Sequence, residues 1–100
     1  MVKPNKIISN CTGFEWDQGN DTQNRDKHDV SNLEGEQIFF NKPLLLRRDK
    51  EHAITENRYY ALGRTNMGRL LFTVFTIRKN TIKIISAREA TDAEMERYFR

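Results

Sequence analysis

The stretch Arg58–Arg88, RYYALGRTNMGRLLFTVFTIRKNTIKIISAR, reads as three successive β-strands. Arg58, Tyr60, Leu62 and Arg64 alternate through the first. Leu70 to Ile77 is an almost unbroken apolar run that ends in Arg78, as expected of a central strand apolar on both faces. Ile82, Ile84, Ser86 and Arg88 alternate through the third. Strand residues two apart share a face, so Arg58 and Arg64 point one way together, as do Ser86 and Arg88. Strands over 54–63, 69–78 and 81–87 are predicted. Thr65-Asn66-Met67-Gly68 forms the first turn and Lys79-Asn80 the second, with Asn and Gly supplying the special backbone angles. A small antiparallel sheet carrying arginines is a natural platform for a polyanion.

Outward from the meander, both flanks read as helix. Thr91 with Glu94 three residues on is a capping box and opens a helix over about 92–99, carrying Met95, Tyr98 and Phe99. Upstream, Ser31 with Glu34 is a second capping box for a helix over 31–41, with Val30 as a staple residue before it and Leu33, Ile38 and Phe39 on its apolar face. Gly35 weakens that helix by about 1 kcal/mol of propensity, and Asn41-Lys42-Pro43 ends it. Leu44–Leu46 reads as a short strand, and Arg47 to His52 as a charged turn or loop. Phe14 and Trp16 share a face if extended, and Asp17 can cap a helix over 18–28 that has poor helix formers and no apolar stripe. Lys6 to Ser9 is either a short first strand or part of a tail. The expectation is an α+β fold. N-terminal helices and a C-terminal helix pack on one face of a small antiparallel sheet, and the other face stays at least partly free. Residues 1–13 form an N-terminal extension and 14–100 a single domain.

One hundred residues, 37% hydrophobic and 31% charged, suit one globular domain and not a disordered chain. The formal charge of +3 suits an RNA, DNA or acidic-protein partner. The single cysteine, Cys11, excludes an internal disulfide and fits a reducing cytoplasm. No apolar run approaches the roughly 18–20 residues of a membrane span, and residues 1–10 hold no signal-peptide core. His28, His52, Cys11 and the scattered Asp17, Asp21, Asp26 and Asp29 lack metal-ligand spacing, so neither metal nor cofactor is expected. There is no nucleophile elbow and no Gly-rich phosphate loop.

The basic set carries the chemistry. RNA cleavage by internal transfer needs a base for the 2′-hydroxyl, an acid for the departing 5′-oxygen, and cations to steady charge on phosphorus. Arg58, Arg64, Arg78 and Arg88 suit the third task through the guanidinium fork. His28, with Lys27 beside it, is the acid–base candidate by intrinsic pKa. Ser86 is placed to orient a phosphate oxygen, and Tyr60 is the reserve acid–base and RNA-binding residue. Set beside this is a plainer reading, in which the arginines are solvated strand residues and His28 ends a helix. Phe14, Trp16, Tyr59 and Tyr60 are either base-stacking or core side chains.

Phe14-Glu15-Trp16-Asp17, then Asn24, then Lys27-His28-Asp29-Val30-Ser31 resembles the opening signature of the BrnT family, toxins of bacterial type II toxin–antitoxin pairs. Glu56-Asn57-Arg58, Gly63, Arg69-Leu70-Leu71, Thr76-Ile77-Arg78, Ile84-Ile85-Ser86-Ala87-Arg88 and the closing Glu94–Tyr98 resemble the family's later blocks, in order, over residues 14–98. Asn20 stands where the family has a helix lysine, Asp29 where it has glycine, and Asn32 where it has an aromatic. The resemblance implies a RelE-like ribonuclease fold and RNA cleavage that stops growth. It also implies neutralisation by a BrnA-like antitoxin that supplies the operator-DNA-reading part of the complex. Two other classes stand against it. One is a binding module that docks an acidic antitoxin through the same arginines. The other is direct DNA binding, for which the chain lacks a helix-turn-helix.

Overall fold

The three strands expected between Arg58 and Arg88 are present, and two more join them. A computed structural model describes residues 8–16, 30–49 and 57–100. Within these the order is β1 (Gly13–Trp16), α1 (Asn32–Gln37), a 3₁₀ turn (Ile38–Phe40), β2 (Leu45–Asp49), β3 (Arg58–Arg64), β4 (Leu70–Arg78), β5 (Thr81–Glu89) and α2 (Asp92–Phe99). The helix expected over 18–28, together with Lys27 and His28, lies outside the described residues.

The meander forms for the reasons its turns suggest. Arg64 pairs with Leu70, and Gly68 takes φ +88° to close the loop between them. Lys79 and Asn80 both have positive φ (48° and 65°), the geometry of a two-residue hairpin whose twist matches its strands. Three expectations about the strands are corrected. The sheet is mixed, not antiparallel: its order is β1-β5-β4-β3-β2, and β1 runs parallel to β5 from Gly13↔Thr81 to Trp16↔Ile84. The second strand does not stop at Leu46. Arg47, Arg48 and Asp49, read as the start of a loop, continue it and pair with Tyr60, Tyr59 and Arg58. The alternation in β5 also breaks. Val74 pairs with Ser86 but Phe75 with Ile84, so Ile85 is a surplus residue, a β-bulge. Ile82 and Ile84 therefore enter the core beside Phe75, while Ser86 and Arg88 face the opposite way.

The core lies on one face of the sheet. Val30, Ile38, Leu44, Ala61, Leu71, Phe75, Ile82, Ile84 and Ala87 are buried together, flanked by Phe14, Trp16, Phe39 and Tyr59. Helix α1 is set on this face by its capping box: Ser31 Oγ accepts from the Glu34 amide at 3.2 Å, and Glu34 Oε1 accepts from the Ser31 amide at 3.2 Å. Gly35, which weakens the helix by propensity, is there for space. A Cβ on it would sit 2.7 Å from Trp16 Cη2. The indole packs against the bare backbone, and its Nε1–H donates to Glu36 Oε2 at 2.8 Å.

The helices do not share a face as expected. Tyr98 of α2 buries with Leu62, Leu70 and Ala90, with Phe72 and Met95 alongside. Leu62 and Leu70 alternate with the core residues Ala61 and Leu71, so α2 lies on the face opposite α1. The apolar positions explain the split, because only this end of that face carries large hydrophobics. The Tyr98 hydroxyl donates to the Pro43 carbonyl and anchors the helix near the start of β2.

Candidate active site

The pairing registers sort the face opposite α1 into rows running across the strands. Under α2 lies Leu45, Leu62, Phe72 and Arg88. The next row is Arg47, Tyr60, Val74 and Ser86. Then come Asp49, Arg58, Thr76, Lys83 and, across β1, Glu15, and finally Arg78 and Thr81. Neighbouring strands lie about 4.8 Å apart and alternate rows about 6.7 Å apart. The last three rows thus form a basic surface beyond the end of α2.

Of the residues singled out in the sequence, Arg58, Tyr60, Arg78 and Ser86 fall within these three rows. Arg58 is half-buried, and its Nε is shielded from solvent without a hydrogen-bond partner among the described residues. The buried Asp49 is its register partner on β2. Thr76 beside it donates its hydroxyl to the Asn57 carbonyl, holding the start of β3. Arg78 is exposed, and Ser86 and Tyr60 are half-buried.

Two of the expected arginines lie elsewhere. Arg64 shares the face but sits six residues from Arg58, about 20 Å along an extended strand. Its Nη2 donates to the Lys42 carbonyl at 2.7 Å. Arg88 borders the site and is held. Its two Nη groups donate to both oxygens of Glu94 at 2.8 and 2.9 Å, and its guanidinium carbon lies 4.4 Å from the centre of the Phe72 ring. The Phe72 and Tyr60 rings are 5.3 Å apart, so Arg88 ends an aromatic row that begins at Tyr60.

Two cations missed in the sequence complete the surface. Arg47 arrives because β2 extends through the RRD run. Lys83 was legible, since it alternates with the core residues Ile82 and Ile84, but the bulge hid its kinship with Ser86.

Glu94 does double duty. It accepts from the Thr91 amide at 2.9 Å as the capping residue of α2 and from Arg88. The Arg88 hydrogen bonds, opposed by burial and aided by the Thr91 amide, hold its carboxyl below the ordinary glutamate range. Glu34 behaves alike. Burial pushes it up, but the Ser31 amide and Arg69, whose Nη1 lies 3.2 Å away, bring it below the usual value. A folded-state pKa lowered below the unfolded one, about 4.3 for Glu, contributes stability that is present above that value. It is lost as pH falls through the lowered folded pKa. Urea melts at pH 7 and near pH 3 are therefore expected to show a smaller pH-dependent loss for Glu94→Gln than for the parent chain. An equal loss would mean that the Arg88–Glu94 contact does not contribute.

Among the described residues no group of three or more His, Cys, Asp or Glu side chains is placed to hold a metal ion. Nor is any of their helices long and apolar enough to cross a membrane.

The family model for the ribonuclease toxin BrnT of type II toxin–antitoxin systems matches residues 16–94, a span that includes the rows just described. The chain belongs to the BrnT family. It is accordingly a ribonuclease toxin of a type II toxin–antitoxin system, a class whose members act on RNA and have an antitoxin partner. Its fold is similar to that in the crystal structure of the Brucella abortus ribonuclease toxin BrnT, with a TM-score of 0.64 at 19% identity. The match covers 81% of this chain and 99% of the Brucella BrnT chain. No curated protein sequence matches.

Proposed function

We propose that this chain is an endoribonuclease that cleaves RNA by metal-independent attack of a 2′-hydroxyl on the adjacent phosphorus. In this reading the sheet face opposite α1 is the reaction surface. The observation that carries it is the gathering of Arg58, Arg78 and Lys83 on adjacent rows of one face, in a member of a ribonuclease toxin family. Charge builds on the phosphoryl oxygens as the 2′-oxygen bonds to phosphorus and the 5′-oxygen leaves. Fixed guanidinium donors meet that charge. The products are a 2′,3′-cyclic phosphate and a free 5′-hydroxyl. His28 with Lys27 remains the candidate acid–base pair, with Tyr60 in reserve, and Ser86 orients a phosphate oxygen. A RelE-like fold, a BrnA-like antitoxin, operator binding only through the complex with it, and a cytoplasmic site of action belong to the same reading and rest on the family.

The test is cleavage of a defined RNA by the purified chain in excess EDTA, with analysis of the new ends. Cyclic or 3′-phosphate ends formed in EDTA support the proposal. Abolition by EDTA with restoration by a divalent ion would overturn the metal-independent part. Asn20 and Asp29, which stand where the family has a lysine and a glycine, favour a second reading in which the face mainly docks an acidic antitoxin. A folded chain that binds antitoxin tightly but leaves RNA intact, with ribosomes and without, is the result expected of that reading.

A further inference from the structure

The row that joins Arg47 to Ser86 has a use beyond the cleavage step. Tyr60 is its centre. On one side the ring meets Phe72 at 5.3 Å, tilted by 37°, and on the other its register partner on β2 is Arg47. Arg47 is exposed, whereas Tyr60 and Phe72 are half-buried. An aromatic pair flush with a sheet and flanked by a guanidinium on the edge strand has the composition that single-stranded nucleic acid requires. A base needs a π-surface to lie on, and its phosphate needs a cation at the rim. A duplex has no unstacked base to offer such a surface.

Resting on the proposed ribonuclease function, we infer that Arg47 and the Tyr60–Phe72 pair form a subsite for one unpaired nucleotide of the RNA substrate, next to the scissile phosphate. The base lies on the Tyr60 ring, beside a Phe72 ring that carries the Arg88 guanidinium at 4.4 Å, and Arg47 holds its phosphate. The subsite selects single strands and fixes the register of the RNA before cleavage. Arg47 is a binding residue here and takes no part in the bond changes.

The strand itself supplies the control. Arg48 follows Arg47 on β2 but points to the other face, where its Nη2 donates to Asn57 Oδ1 at 2.7 Å. Arg47→Ala and Arg48→Ala remove the same charge from adjacent positions. The experiment measures fluorescence anisotropy of a 2′-O-methyl single-stranded oligoribonucleotide, which cannot undergo 2′-transfer, across a salt series. The same series is run with a 2′-O-methyl duplex.

Arg47→Ala is expected to weaken single-strand binding and to reduce the slope of log K against log salt by about 0.7, the value for one lost phosphate contact. Arg48→Ala should leave both unchanged. Tyr60→Leu should cost about tenfold in affinity, and Tyr60→Phe, which keeps the ring, should bind like the parent. Thermal melts confirm that each variant is folded. Equal weakening by Arg47→Ala and Arg48→Ala would reduce the effect to net charge and overturn the inference, as would equal affinity for duplex and single strand. A parent chain that cleaves RNA while Arg47→Ala and Tyr60→Leu bind normally would also overturn the subsite and leave the ribonuclease standing. A parent chain that neither cleaves nor binds RNA would remove both.

Discussion

Arg58→Ala is expected to lower the rate of RNA cleavage by about 10²–10³-fold, the loss found when one preorganised donor to a developing oxyanion is removed. Arg58 is chosen over the other arginines on geometric grounds. It lies on β3, between the edge strand and the central β4, in the same row as Thr76 and Lys83 and one row from Arg78 and Tyr60. Its Nε is shielded from solvent and has no hydrogen-bond partner among the described residues. A phosphoryl group on this row meets the accessible part of a half-buried guanidinium fixed by its strand, so the interaction strengthens most where charge builds up. Arg58→Lys should recover only part of the loss, because an ammonium keeps the charge but not the planar fork. The measurement is single-turnover cleavage under saturating enzyme, with a urea melt of each variant alongside. Wild-type rates in a folded Arg58→Ala would move the reaction centre off this row.

Arg64→Ala makes the contrast. Six residues away on the same face and bonded to the Lys42 carbonyl, Arg64 should be nearly silent in the same assay. If Arg64 mattered as much as Arg58, the RNA would have to reach past α2 to the far end of the sheet.

The second large effect is on stability. Phe75→Ala should cost about 3–5 kcal/mol, because it removes a fully buried ring from the middle of the core and leaves a cavity. Phe75 is 0% exposed. It meets Phe39 edge-on at 5.2 Å and stacks on Tyr59 at 5.4 Å, joining the 3₁₀ turn to β3 through the central strand. Domains of this size have roughly 5–15 kcal/mol in hand, so the variant should be close to unfolding at 37 °C. The urea midpoint should fall sharply with little change in slope. Activity should fall with it, since Val74 and Thr76 on either side of Phe75 face the reaction surface. A shift under 1 kcal/mol would mean that the core closes over the gap.

Local chemistry was the legible part of the fold. Both capping boxes, the Gly68 turn and the Lys79-Asn80 turn depend on neighbours in sequence, and all are found where the residues place them. Three features were not legible, because each depends on a partner distant in the chain. Arg47-Arg48-Asp49 has the composition of a loop and becomes strand only because β3 lies beside it to accept the hydrogen bonds. The parallel union of β1 with β5 leaves no mark on either strand beyond apolar residues. The surplus residue Ile85 directly follows another isoleucine, so the change of phase leaves no mark in the hydropathy.

The same holds for the candidate site. Arg58, Tyr60 and Arg78 could be placed on one face because β3 and β4 alternate without interruption. Arg88 and Arg64 shared the residue type and the face, but nothing local to them announces the claims of Glu94 and the Lys42 carbonyl. Lys27 and His28 lie outside the described residues and keep the roles proposed from their intrinsic chemistry.

The place of β1 has a consequence for the order in which the toxin comes into being. Among the described strands the first made, Gly13–Trp16, bonds only to the last made, Thr81–Glu89. While the ribosome is still translating β2 to β4, β1 has no neighbour and the face opposite α1 lacks Lys83, Ser86 and Arg88. A chain emerging from its N-terminus first can assemble the middle hairpins early but cannot complete the sheet until β5 is released. Synthesis thus delays the finished sheet until β5 has been released. A chain of this topology presents its basic rows together only after β5 has joined β4 and β1.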